Sequence, residues 1–381
     1  MIDLLRQEII TEANTIVVKV GTRILTDATG HLNERQIESL ASQLAAARKR
    51  GNNIVLVSSG AVGSGIGRLG LHARPSDLAQ LQAVAAIGQS ALIEAYNHYL
   101  EKHGLYAAQI LLTADDLDHR TRYLNLRNTL NALIDFGAIP IINENDTLSV
   151  AELRTTFGDN DRLAALVASM IHSPLLILLS DVDGLYNGDP ADPNSTVIPT
   201  VYQLDASIQS LVFDHRNSLS KGGMASKLRI AHQITSAGGS VLIANGREPE
   251  ILGEILRYQP RGTLFLPQCV RKGARKQWIG YAVIPRGSVV VDDGAVAAIE
   301  KMGKSLLPIG IRSVAGEFDR GEVVAIQSLH GLEIARGLTN YSSLDLNRIK
   351  GMRSEEISSA FPGQYVYEEV IHRDNLTITS L

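Results

Sequence analysis

The chain has 381 residues, 45% of them hydrophobic and 20% charged, with a net charge of −4. That length allows two domains with a sizeable core, and the composition is that of an ordinary soluble globular protein. The near-neutral total excludes a general attraction to nucleic acid or anionic membrane. The single cysteine, Cys269, excludes an internal disulfide and suits a reducing cytoplasm.

Residues 1–14 carry Asp3, Arg6, Glu8 and Glu12 among apolar residues, which predicts a short amphipathic helix and no secretion signal. No apolar run approaches the ~20 residues of a membrane span. The first strong element is Thr15-Ile16-Val17-Val18-Lys19-Val20, a β-branched run expected to be a buried strand. Lys19 interrupts it, and an ammonium is costly to bury without a partner. Either the strand ends in a solvated lysine, or Lys19 faces an anion beyond the strand's carboxyl end, with Gly21 letting the backbone approach it.

Helix and strand signals then alternate. Asn33 predicts a helix N-cap and Gly51 the end of that helix. Asn53–Val57 is the second strand, followed by a glycine-rich turn, Ser58-Ser59-Gly60-Ala61-Val62-Gly63-Ser64-Gly65-Ile66-Gly67. Helices are expected over 76–102, 121–136, from Asp159 or Asn160 to about His172, and over 223–237. Strands are expected over 107–112, 138–142, 175–179 and 240–244. This order predicts an α/β fold, a mostly parallel open sheet sandwiched by helices.

The pattern changes after Gln268. Residues 269–276 are basic and read as a linker, 277–373 as a small β-rich domain, and 374–381 as a tail. In the small domain, Trp278–Val283, Ser288–Val291 and Glu322–Gln327 are strand-like, and 295–300 and 343–349 are short helices. Two nucleotide-like motifs are set aside. Gly65-Ile66-Gly67-Arg68-Leu69-Gly70 begins too far past its strand for a dinucleotide fingerprint. Gly303-Lys304-Ser305 lacks the first P-loop glycine, Ala298 standing in its place.

Polar groups stand just beyond four apolar strands: Lys19 and Gly21, Ser58-Ser59-Gly60, Asn143-Glu144-Asn145-Asp146, and Ser180-Asp181. Their recurrence suggests one shared crevice. Lys221-Gly222-Gly223-Met224-Ala225-Ser226-Lys227 opens onto a helix and suits phosphate oxygens, or is a plain surface loop. Gly158-Asp159-Asn160-Asp161 is either a helix cap or part of the site. Two lysines, a glycine loop and several carboxylates together fit phosphoryl transfer.

These segments, with Asp183-Gly184-Leu185-Tyr186, resemble the amino acid kinase family, and 277–373 resembles a PUA domain. The resemblance spans nearly the whole chain and implies phosphoryl transfer from ATP to the side-chain carboxylate of L-glutamate, the first step of proline synthesis. It implies that Lys19 and Lys227 contact the phosphates and that Asp161 orders them. Ser59, Asp146 and Asn160 would hold glutamate. Ser180, Asp181, Lys221, Gly222, Gly223, Met224, Ala225, Ser226 and Lys227 would line the ATP site. Mg²⁺ would bridge the phosphates, with no protein ligand assigned to it. The resemblance also implies inhibition by proline and assembly into dimers or tetramers.

An acceptor carboxylate, with a pKa of about 4.3, is already ionised at pH 7 and needs no general base. Asp161 is therefore assigned an organising role. Asp146 is expected to pair with the α-ammonium of a free amino acid, a charge that an N-acetylated substrate lacks. The rival readings are family members acting on acetylglutamate, aspartate or uridylate, and an RNA-binding protein working through the PUA-like part. Residues 270–381 hold 14 Lys and Arg against 13 Asp and Glu, net +1, without the basic patch of most RNA binders.

Overall fold

In this computed structural model the first apolar run forms β1 (Thr15–Val20), inside an eight-stranded sheet. The structure describes residues 3–27, 31–113, 116–117, 119–148, 160–211, 223–268, 276, 278–361 and 366–379. The chain divides into two compact units, Met1–Arg271 and Lys272–Leu381.

The other strands of the first unit are β2 (Asn53–Ser58), β3 (Ala107–Leu112), β4 (Ile139–Glu144), β5 (Leu175–Ser180), β6 (Thr200–Val201), β7 (Ser240–Asn245) and β8 (Thr263–Phe265). Their order is β3-β4-β2-β1-β5-β7-β8-β6. Every pairing is parallel except that of β7 with β8. The sheet thus has the predicted parallel character, because strands such as Leu175–Ser180 are buried along their whole length. β1 lies between β2 and β5, so the order reverses there, the kind of point beyond whose strand carboxyl ends open α/β sheets bind ligands.

The helices are α1 (Leu4–Glu12), α2 (Thr22–Leu25), α3 (Glu34–Lys49), α4 (Ala61–Leu69), α5 (Leu78–Glu101), α6 (Arg120–Asp135), α7 (Asn160–Met170), α8 (Met224–Ser236) and α9 (Ile251–Leu256). Strand side chains alternate between faces, and this sorts the site. Ile16, Val18 and Val20 of β1 join Leu44, Tyr96 and Leu252 of α3, α5 and α9 in one core. Val17 and Lys19 share the opposite parity, on the face where α7 packs against β1 and α8 against α7.

The glycine-rich stretch departs from the expected turn. Only its start is a turn, with Gly60 at φ 106°, and from Ala61 it is helical. Glycine normally costs a helix about 1 kcal/mol relative to Ala. Here it permits close helix contact: a Cβ on Gly65 would sit 1.9 Å from the Val84 carbonyl oxygen, and one on Gly88 1.8 Å from that of Ala61. The dinucleotide-like glycine spacing is therefore part of a helix-packing seam between α4 and α5. Gly88→Ala should destabilise this unit by about 3 kcal/mol or more, since overpacking there can be relieved only by backbone movement. A denaturant midpoint equal to that of the parent protein would contradict this.

The second unit carries β9 (Gly287–Val291), β10 (Ile311–Gly316), β11 (Val323–Gln327), β12 (Glu333–Leu338) and β13 (Leu376–Ile378), ordered β10-β9-β11-β12-β13. Its own core includes Val289, Ile326, Ile334, Leu346 and Ile371. Two expectations fail in this unit. Trp278–Ala282 is a π-helical turn and no strand; Trp278 and Ile279 are both buried, which the alternation of a half-exposed strand forbids. Residues 376–378, expected in a tail, pair antiparallel with β12 and bury Leu376 and Thr377. The strand is too short to leave a period in the sequence. Of the expected linker, only Lys276 lies among the described residues, so Cys269 lies outside them.

Candidate active site

Lys19 ends its side chain at a carboxylate supplied by the first turn of α7. Its Nζ lies 2.7 Å from Asp161 Oδ1. Lys227, in the first turn of α8, places its Nζ 3.5 Å from Asp161 Oδ2. Two cations from distant parts of the chain therefore share one carboxylate, an oxygen each. All three groups are buried, with Lys19 7%, Lys227 4% and Asp161 1% exposed. Ion pairs so deeply buried are weak sources of stability, because desolvation offsets most of the attraction. Their arrangement instead holds positive charge at a fixed place beyond β1, next to Gly21, whose backbone N–H donates to the Leu179 carbonyl of β5.

A second cluster surrounds Asn160, the neighbour of Asp161. Its Nδ2 donates to Ser59 Oγ at 2.7 Å, to Asn143 Oδ1 at 2.9 Å and to the Ser58 carbonyl at 3.2 Å. Two protons shared among three acceptors fix the amide plane. Its Oδ1 is buried and has no hydrogen-bond partner among the described residues. A buried acceptor left open normally costs about 1–3 kcal/mol, so this oxygen is able to accept from a donor brought to it. Asp146, in the turn after β4, is likewise buried at 4% exposure.

On the other side of β1, Ser180 and Asp181 end β5. Ser180 Oγ donates to Asp181 Oδ1 at 3.2 Å, and Arg23 of α2 pairs with Asp181 Oδ2 at 2.8 Å. Burial pushes the Asp181 carboxyl up. The Arg23 bond and charge, its own backbone N–H and Ser180 together outweigh that effect and hold it below the ordinary carboxylate range. Asp183 accepts from Asn245 Nδ2 and from the Tyr186 hydroxyl, both at 2.8 Å. Gly223 is the N-cap of α8 and, being a glycine, makes no side-chain cap bond to the first turn of that helix. Lys221, Gly222, Gly158 and Asp159 lie outside the described residues.

Lys19, Lys227 and Asp161 thus come together in one cluster, and Ser59 and Asn160 in an adjoining one. Asp146 is buried near the end of β4, and Ser180 and Asp181 stand at the end of β5. Three further members carried no assigned role in the sequence: Asn143, Arg23 and Ser58. Asn143 belonged to the polar cluster at the end of β4, and Arg23 was not singled out, although a charge between Thr22 and Ile24 was a signal that could have found it. Ser58 looks like any strand-end serine.

Known proteins match nearly the whole chain. Residues 14–245 match the amino acid kinase family, and residues 287–361 match the PUA domain. A glutamate 5-kinase of Rhodopirellula baltica is 46% identical over 374 residues, covering 98% of this chain and 96% of that protein. One of Geobacter sulfurreducens is 43% identical over 375 residues, covering 98% and 100%. One of Moorella thermoacetica is 44% identical over 370 residues, covering 97% of each. With the family match over more than half the chain and full-length relatives at this identity, the chain belongs to the amino acid kinase family.

Proposed function

We propose that the chain is a glutamate 5-kinase, moving the γ-phosphoryl group of ATP onto the side-chain carboxylate of L-glutamate to give ADP and L-glutamyl 5-phosphate. The observation that carries this reading is the convergence of Lys19 and Lys227 on Asp161, two fixed cations at a sheet crevice. Phosphoryl transfer needs chiefly positioning and charge stabilisation. The lysines supply the charge, and Asp161 sets where their ammonium groups stand. The acceptor carboxylate is ionised at neutral pH, so no group has to take a proton from it.

In this reading the acceptor lies against Ser59, Asn160 and Asp146. The open Asn160 Oδ1 and the Asp146 carboxylate suit an α-ammonium, and the Ser59 hydroxyl suits a carboxylate oxygen. ATP lies toward Ser180, Asp181 and the start of α8. Magnesium enters such sites mainly on the substrate's phosphates. Among the described residues no group of three or more His, Cys, Asp or Glu side chains is placed to hold a metal. By that preference Mg²⁺ is assigned to the triphosphate, where it would neutralise charge. Among the described residues no helix is long and apolar enough to cross a membrane; a cytoplasmic location, inhibition by L-proline and assembly into dimers or tetramers are proposed with the activity.

The deciding experiment traps the acyl phosphate with hydroxylamine. Hydroxamate should form only with both ATP and L-glutamate present. Faster ADP release with acetylglutamate, aspartate or UMP would overturn the assignment. Asp146→Ala should raise the KM for glutamate at least about tenfold, the worth of a charge-assisted bond of roughly 1.5 kcal/mol, and leave that for ATP nearly unchanged. Equal rises in both would remove Asp146 from the acceptor site.

A further inference from the structure

Tyr96 lies on α5 behind β2, is fully buried, and belongs to the core on the face opposite Lys19. Its hydroxyl lies 3.1 Å from Ser58 Oγ. Ser58 Oγ also bonds the Ser59 carbonyl at 3.2 Å. A carbonyl only accepts, so both bonds form together when the single Ser58 proton goes to the Ser59 carbonyl and Tyr96 donates to Ser58. Burial raises the Tyr96 phenol above its ordinary value, with the Ser58 bond opposing more weakly, so this donor stays protonated at neutral pH. The same two serines receive the Asn160 amide, through the Ser58 carbonyl at 3.2 Å and the Ser59 hydroxyl at 2.7 Å. Immediately beyond them Gly60 takes a positive φ of 106° and starts α4.

We infer that Tyr96 is a positioning residue of the acceptor site: its hydroxyl, acting through Ser58, fixes the Ser58–Ser59 backbone and so the aim of Ser59 and Asn160. The inference rests on the reading of Ser59 and Asn160 as groups that hold the amino acid. Tyr96 touches no substrate. Without its hydroxyl, Ser58 Oγ loses a buried donor, its proton is free to turn from the Ser59 carbonyl, and the Ser59–Gly60 peptide is free to tilt. The nucleotide side, built on β5 and α8, shares none of these bonds.

The test compares Tyr96→Phe with the parent in the full-length protein. The KM for glutamate should rise about five- to tenfold, the effect of about one hydrogen bond, with kcat and the KM for ATP within about twofold. In a Ser58→Ala background the same change should move the glutamate KM by less than about twofold, because the relay is already broken. An unchanged glutamate KM, a parallel rise for ATP, or equal fold-changes in both backgrounds would overturn the inference. Amide hydrogen exchange gives a readout independent of the substrate's identity. Exchange over residues 58–61 should quicken about fivefold in Tyr96→Phe, with residues 224–228 unaffected. No change, or an equal change in both segments, would also overturn it. If the parent fails to turn over glutamate, the proposed activity falls and the exchange measurement still decides the role of Tyr96.

Discussion

Lys19→Met and Lys227→Met should each lower kcat by at least about a thousandfold while leaving a folded protein. A donor aimed at transition-state charge in a water-excluded site is worth 10²–10³-fold, and each lysine carries a full charge that a neutral donor does not. Methionine is unbranched and flexible, so it fills the vacated channel with little strain. Asp161 keeps one ammonium partner in either variant, since its two oxygens face different lysines. The stability loss should therefore stay near 1–3 kcal/mol, the cost of a buried acceptor losing one partner. Cooperative thermal unfolding monitors the fold, and the hydroxamate assay monitors turnover. Arginine is no substitute at either place, because its planar fork cannot occupy the position of a compact ammonium. A kcat within tenfold of the parent, in either methionine variant, would remove that lysine from the reaction.

Asp161→Asn should cost about 3–5 kcal/mol of stability, the penalty for leaving buried charge uncompensated, and should also abolish most turnover. The side chain is 1% exposed and both its neighbours are cations. With the carboxylate gone, two ammonium groups face each other in a poorly hydrated site. That makes a specific prediction for the double variant. Adding Lys19→Met to Asp161→Asn should restore part of the stability, because it removes one of two repelling charges, although the same change in the parent is destabilising. The coupling should be about 1–3 kcal/mol. Additive losses, measured by denaturant unfolding of the two single variants and the double, would show that the carboxylate does not organise the pair.

The Val17-Val18-Lys19-Val20-Gly21 run was legible because a lysine inside a β-branched strand breaks the burial rule, and such a break needs a cause. Asp161 and Lys227 were less legible: their segments read equally well as a helix cap and a surface loop, and only the family resemblance gave them roles. Glycine was misleading: the stretch 58–67 reads as a loop because glycine disfavours helices, and here a neighbouring helix at Gly88 requires it. The Trp278 segment was misread as a strand and the last strand, β13, was missed, because runs of three to five residues carry no measurable period. Tyr96 gave no signal, since an aromatic residue among Leu92 and Leu100 on α5 looks like any core residue.

By itself the sequence determined the alternation of buried strands and helices, the break into a second unit and the residue types of the site, because local burial and chain stiffness leave periodic and compositional marks. Tertiary structure alone decided which oxygen of Asp161 faces which lysine, that Asn160 Oδ1 has no hydrogen-bond partner among the described residues, and that Tyr96 stands behind Ser58. Those facts depend on strand order and side-chain parity across the sheet. They bring together residues far apart in the chain, and no local pattern records such a meeting.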